Sequence, residues 1–470
     1  MNETGAEVSE TWTAPRASAR HERGWTFAII LFAISLQVLT TIEVGGNELR
    51  FGTSDLLLPV LLLLVFWKWL KDDGGFPDWR VDHFWVWVGT LTFWIGFSVV
   101  NGRLQTGEWQ VWAVLNKGVG WLILVGYLLL GGWLTAFYDA RLRTLFVKVF
   151  ILCTWVACGY SLARYFLFLH RGLFGTEMSD YDRVAGFFAN PNAFGIFVAA
   201  VIVLQVSYLD RRRLFPPVLA HLGLGVTLLS VAFTGSRSAW LGLVLALPVL
   251  FLTGRVRFLP VLRGALTGLV LGVVILFGPA TVLYGTAIVA QGVAALGITT
   301  SSTTGSSTTG HAGSAGEVTN LEWEAYFTRP YLLRGTVAQD TALDERVASA
   351  LKALEMWRNA PIVGEGLGSY RRGIEGHSGF AGTIHNSFLW LLAETGSVGA
   401  LLFAAFFWLV LRSLYRAGRL PEADPLPASV FGMLVLLAGA SIGTEIMYQR
   451  YFWFLMGLAL TLPQPKSKAV

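Results

Sequence analysis

The sequence predicts an all-α polytopic membrane protein of about twelve transmembrane helices, with one long, partly helical outer loop. Three observations predict it. Mean hydropathy is +0.57. Only 14% of the 470 residues are charged, where a soluble domain carries about a quarter. Apolar runs of membrane-crossing length recur along most of the chain. The 19 tryptophans and 32 phenylalanines fit the same solvent, because aromatic rings suit lipid and its interfaces. The net charge of +5 is spread through short loops rather than gathered on one face, which argues against nucleic acid as a partner. Cys153 and Cys158 fall within one predicted span and form neither a disulfide framework nor a metal site. No cofactor is expected.

Residues 1–24 are polar and of mixed charge, without the basic-then-apolar form of a cleaved signal peptide. They read as a cytoplasmic tail, and the span beginning near Trp25 as an uncleaved insertion signal. Nine predicted helices fill residues 25–283, at 25–43, 53–70, 83–101, 113–135, 144–168, 191–209, 216–234, 237–253 and 261–283. Three more fill 386–463, at 386–412, 427–444 and 449–463, before a cytoplasmic tail at 464–470.

Charge sets the sides. With the N-terminus inside, the inner loops hold Lys68, Lys71 and Arg80, then Arg141 and Arg143, then Arg211, Arg212 and Arg213, then Arg255 and Arg257, then Arg412, Arg416 and Arg419. The short outer loops hold single arginines such as Arg50, Arg103 and Arg171. This is the bias expected of an inner-membrane protein.

Residues 284–385 break the pattern as a long polar outer excursion, the segment large enough to carry recognition or catalysis. Within it, Thr299–Gly316 is Ser, Thr and Gly with almost no apolar content and is not expected to pack, so His311 is set aside as a catalyst. Asp340 is expected to cap a helix running to about Asn359, with Leu343, Val347, Leu351, Leu354 and Trp357 as its apolar stripe and Arg346 on its border. Gly364-Glu-Gly-Leu-Gly-Ser-Tyr370 lacks the strand–turn–helix context of a nucleotide loop. It reads as a tight glycine turn that brings backbone against the membrane face. His385 stands at the outer mouth of the tenth span, as a cap or as a chemical group.

Two further arginines share that side. Arg183 precedes an Asn-Pro-Asn turn ending at Asn192, where Pro191 can open a helix without loss of a hydrogen bond. It either snorkels at the interface or binds. Arg237 lies in the nearly loopless hairpin Gly235–Trp240 and is the one charged residue between Arg213 and Arg255. Charge at that depth usually faces a cavity or a bundle interior. Arg183, Arg237 and Arg346 together point to a lipid-linked phosphate or diphosphate, because a guanidinium fork makes paired bonds to phosphate oxygens. Glu394 and Glu445 stand singly and could cap, pair or line a cavity. A transporter would place charge near the bilayer midplane and often show an internal repeat. The sequence shows no clear repeat and little charge at that depth.

Four segments carry a resemblance. They are Arg183-Val-Ala-Gly-Phe-Phe-Ala-Asn-Pro-Asn192, Thr234-Gly-Ser-Arg-Ser-Ala-Trp240, Trp357-Arg-Asn-Ala-Pro-Ile-Val-Gly-Glu-Gly-Leu-Gly368 and His385-Asn-Ser-Phe-Leu-Trp-Leu-Leu-Ala-Glu-Thr-Gly396. In this order, with the long outer loop before the last, the chain resembles the O-antigen ligase and polymerase superfamily of bacterial membrane glycosyltransferases. The resemblance implies an undecaprenyl-diphosphate-linked glycan donor, transfer on the periplasmic face, no nucleotide sugar and no required metal. It implies lipid A–core or another surface glycan as acceptor for a ligase, a growing lipid-linked repeat for a polymerase, and protein for a related group. It also implies essential roles for Arg183, Arg237, Arg346 and His385. His385 is then read as the general base, with Asn192 and Glu394 as candidate supporting residues. The Ser/Thr/Gly tract departs from the usual ligases and leaves the acceptor open.

Overall fold

The computed structural model describes residues 19–44, 47–71, 77–137, 140–166, 183–188, 190–211, 214–274, 336–374, 382–417 and 425–462. The Ser/Thr/Gly tract, His311 and the first part of the long outer loop lie outside them.

Helix α1 (Ala19–Ser35) ends earlier than expected. The chain turns into an antiparallel hairpin, β1 (Leu39–Val44) and β2 (Asn47–Gly52), in register Leu39↔Gly52. The span expected at 25–43 is therefore half helix and half strand. Val38, Thr40, Thr41, Ile42 and Val44 are β-branched and favour extended backbone. β1 also bridges Phe188, so the hairpin marks the end of the bundle where Arg183 lies.

The helices that follow are α2 (Thr53–Lys71), α3 (Phe84–Thr106), α4 (Val111–Ala136), α5 (Ala140–Phe166), α6 (Pro191–Arg211), α7 (Pro217–Thr234), α8 (Arg237–Leu252) and α9 (Phe258–Val274). Within residues 336–374 come α10 (Thr336–Asn359) and α11 (Ser369–Gly373), followed by α12 (Ser387–Ala417), α13 (Pro425–Ala440) and α14 (Arg450–Thr461). Among the described residues seven helices, not twelve, are long and apolar enough to cross a membrane: α2 to α7 and α12. Thr26–Ser35 of α1, α8, α9 and α13 are apolar but shorter. Within the described residues they fall short of the roughly 20 residues that a straight crossing takes. The all-α, multi-pass class stands; the count of twelve is corrected.

α6 is the pillar of the bundle, its apolar residues buried nearly throughout. α4 and α14 cross with backbones in contact. A side chain on Gly131 would meet the Phe454 carbonyl, and one on Gly457 the Leu128 carbonyl. Small residues at a crossing let helices approach where lipid supplies no hydrophobic drive.

α12 is not one continuous helix, as expected from 386–412, but is broken at Gly396 (φ 69°, ψ −178°). The break frees backbone groups that must be paired inside a membrane. The glycine turn pairs them. Ser397 N and Val398 N donate to Pro361 O and Ile362 O at 2.9 and 3.2 Å, while Glu365 N and Gly366 N donate to Ala393 O and Glu394 O at 2.9 and 3.1 Å. On its other side the same turn meets α3, where Leu367 N donates to Ser98 O at 2.9 Å and Asn101 Nδ2 to Gly364 O at 2.8 Å. Gly364, Gly366 and Gly368 take φ of 73°, 91° and 91°, a region costly for any residue with a Cβ. The outer loop is thus locked into the helical bundle by its glycines.

Candidate active site

Arg183 stands where α6, α7 and α8 meet. Its Nε donates to Thr234 O at 2.5 Å and its Nη2 to Asn192 Oδ1 at 2.8 Å. Val184 N also donates to Phe233 O at 3.2 Å. The last turn of α7 and the first of α6 therefore hold the guanidinium. Pro191 opens α6, and Asn190 Oδ1 accepts from Asn192 N at 2.8 Å, so the Asn-Pro-Asn turn fixes the asparagine that orients Arg183. Two residues past Thr234, Ser236 caps α8 by accepting from Ala239 N at 3.3 Å. Arg237 is the first residue of that helix and is exposed.

Helix α10 begins at Thr336, not at Asp340, which lies inside it. Its buried face is also not the expected stripe. Val347 and Leu351 are exposed, and the buried residues are Ser349, Ala353 and Met356. Half-buried Arg346 shares that face, one turn before Ser349. α10 packs on α12, with Trp357 Nε1 donating to Ser397 Oγ at 3.0 Å. Burial lowers the Arg346 guanidinium pKa, and the nearby Arg237 charge lowers it further.

His385, half-buried, immediately precedes α12. The cap is its neighbour Asn386, whose Oδ1 accepts from Phe388 N and Leu389 N at 2.9 and 3.0 Å. Asn386 and Ser387 are fastened to the turn between α13 and α14. Ser387 N donates to Ser441 O at 3.0 Å, Asn386 Nδ2 to Ile442 O at 3.0 Å, Ser387 Oγ to Thr444 O at 3.2 Å, and Ile446 N to Ser387 Oγ at 2.8 Å. Ser238, next to Arg237, meets Thr444 as well, with its Oγ 3.2 Å from Oγ1. Thr444 thereby ties the start of α8 to the start of α12. Arg183, Arg237, Arg346 and His385 are drawn from four separate stretches of sequence and lie at one end of the bundle.

The O-antigen ligase family model matches residues 222–404. No curated protein matches the chain. Arg237, Arg346, His385 and Glu394 fall inside the matched segment; Arg183 and Asn192 precede it.

Next to these residues lies a buried charge cluster whose pairing the sequence did not show. Lys117 sits on a π-helical turn of α4 (Val114–Val119) and pairs with Glu445, both buried. Its ammonium lies over the rings of Tyr448, Trp390 and Trp112, at 3.9, 4.6 and 5.6 Å from their centroids. Glu394 is buried beside them and accepts from Trp390 Nε1 at 2.8 Å. A second buried pair joins Arg450 to Asp55 at 2.6 Å, with Tyr127 Oη donating to Asp55 at 2.8 Å. The sequence suggested little charge at midplane depth, and these groups stand instead near the starts of α2, α4 and α14. The available signal was Lys117 itself, a lone lysine in an otherwise apolar span, which calls for a carboxylate partner. Glu394 and Glu445 are not free carboxylates beside His385; they belong to this cluster.

Proposed function

We propose that the chain is an O-antigen ligase-like glycosyltransferase of the bacterial inner membrane, working on the periplasmic face. It moves a glycan from undecaprenyl diphosphate to a hydroxyl of lipid A–core or another surface acceptor. The observation that supports this reading is the common placement of their segments: Arg183 is held on Thr234 three residues before Arg237, and the starts of α8 and α12 are tied through Ser238, Thr444 and Ser387 next to Arg237 and His385. Guanidinium groups held together in this way favour an anion of more than one charge, and a diphosphate offers the geometry for paired bonds.

The reaction is a single displacement with inversion. The acceptor oxygen attacks the anomeric carbon while its proton passes to His385. The bond from that carbon to the diphosphate oxygen breaks, and the lipid diphosphate leaves with one more negative charge. Arg183, Arg237 and Arg346 neutralise that charge as it develops, the task a divalent metal performs elsewhere. Asn192 keeps Arg183 aimed. Glu394 supports the helix that carries His385 rather than acting as a nucleophile.

The test uses purified protein in lipid with a defined undecaprenyl-diphosphate oligosaccharide, products being separated by mass. A glycan–core adduct formed only when lipid A–core is present establishes a ligase. Growth of the lipid-linked chain without core establishes a polymerase instead. Transfer to added protein would identify an oligosaccharyltransferase. No product from any donor would return the chain to the transporter reading. Activity lost in EDTA and restored by added metal would overturn the arginine mechanism.

A further inference from the structure

The two ends of the bundle differ. α8 starts at Arg237 beside the candidate site and ends at Leu252 on the far side. Just beyond it, Arg255 donates to Tyr415 O at 2.8 Å, near the far end of α12. At this far end α5, α6, α7 and α9 part around a cavity of about 250 Å³. Trp155, Leu209, Leu214 and Phe215 wall it, and Trp155 and Phe215 pack ring to ring with centroids 4.7 Å apart. Gln205 lines it too, but its amide is engaged with Trp155 Nε1 and Thr227 Oγ1 at 2.9 and 3.2 Å.

His221, in the first turns of α7, and Arg263, in the first turns of α9, also line the cavity. Neither has a hydrogen-bond or ion-pair partner among the described residues, and no carboxylate is among the lining residues. Arg263 is exposed at the mouth and His221 half-buried behind it. An apolar cleft between helices with an exposed cation, and no acid among its described lining residues, matches an amphiphile with an anionic head. The chain's basic residues Arg255, Arg257 and Arg263 gather at this same end, which by charge bias faces the cytoplasm. Basic pockets between helices on that side suit the headgroups of anionic lipids.

From this geometry we infer that the cavity binds one anionic phospholipid of the inner leaflet, an acyl chain along Trp155 and Phe215 and the phosphate at Arg263 and His221. This site is separate from the glycan transfer site and does not depend on that reaction. Its role is to hold α5, α7 and α9 in register where their own packing leaves a gap.

The test is native mass spectrometry of the delipidated full-length protein, titrated with phosphatidylglycerol or with phosphatidylcholine of the same chains. One phosphatidylglycerol is expected to bind about fivefold or more tightly than phosphatidylcholine, and Arg263→Gln to remove that preference. Arg257→Gln removes an equal charge at the same end but outside the cavity, and should leave the preference intact. Ala220→Phe narrows the cavity without changing charge and should weaken binding of both lipids. Equal binding of the two lipids by the unmodified protein would overturn the inference. So would equal losses in Arg263→Gln and Arg257→Gln, which would mean a diffuse field rather than a site.

Discussion

Arg237 stands at the first position of α8 with its side chain exposed. Removing one preorganised charge donor from a site of this kind costs about a hundred- to a thousandfold in kcat. Arg237→Ala is therefore expected to insert normally and lose about that much transfer, while Arg237→Lys recovers part of it. A stable, fully active Arg237→Ala protein would remove Arg237 from the mechanism. Lys117 calls for a different experiment. Breaking a buried ion pair by removing one partner costs about 3–5 kcal/mol, because a charge is left uncompensated. Lys117→Met should lower the melting temperature sharply, and adding Glu445→Gln should recover much of the loss. If the double variant melts below the single one, the pair is not the source of the effect. At this scale the sequence exposed the arginines because each is a costly charge near an apolar span. It hid the pairing of Lys117 with Glu445, because 328 residues separate them.

Helix α10 shows why periodicity misleads beside a membrane. Leu343, Val347, Leu351, Leu354 and Trp357 keep helical spacing, yet the face turned to the protein carries Ser349, Ala353 and Met356. Apolar side chains are at home in lipid as well as in a core, so the apolar stripe does not say which face packs. Small residues do. Ala353→Leu should overpack this contact at a cost of about 1–3 kcal/mol and reduce transfer by displacing Arg346. Leu351→Gln, on the open face, should leave both activity and melting unchanged. The break in α12 was legible only in part. The glycines were visible as a tight turn, but nothing in their spacing showed that they hydrogen-bond across a broken helix. Gly366 has φ 91°, and a side chain there would strike the Gly102 backbone. Gly366→Ala should therefore destabilise the fold; a melting temperature matching that of the unmodified protein would sink the locking role given to this turn.

The whole molecule was most legible in class and placement. Each predicted span falls on or beside an apolar helix, because lipid demands long apolar segments wherever the chain crosses. The count was less legible. Pattern alone does not separate a full crossing from α8 or α13, each 16 residues long, nor a helix from the β-branched hairpin after Ser35. Orientation rests on charge and can be measured directly. In a background with Cys153 and Cys158 replaced, Ser306→Cys should react with a membrane-impermeant thiol reagent added from outside intact spheroplasts. Labelling only after lysis would invert the topology and place the arginines on the wrong side for a periplasmic reaction.

Thr444 touches both Ser238 and Ser387, yet it lies 40 residues past the last residue of the matched ligase domain, and Arg183 lies 39 residues before the first. The matched segment and the mechanical unit therefore have different borders. A chimera cut at 222 and 404 would import a histidine without its floor and two arginines without the third. Exchanges of specificity between relatives should carry the stretches around Arg183–Asn192 and Ser441–Arg450 along with the domain, or the transplanted mouth will arrive unassembled.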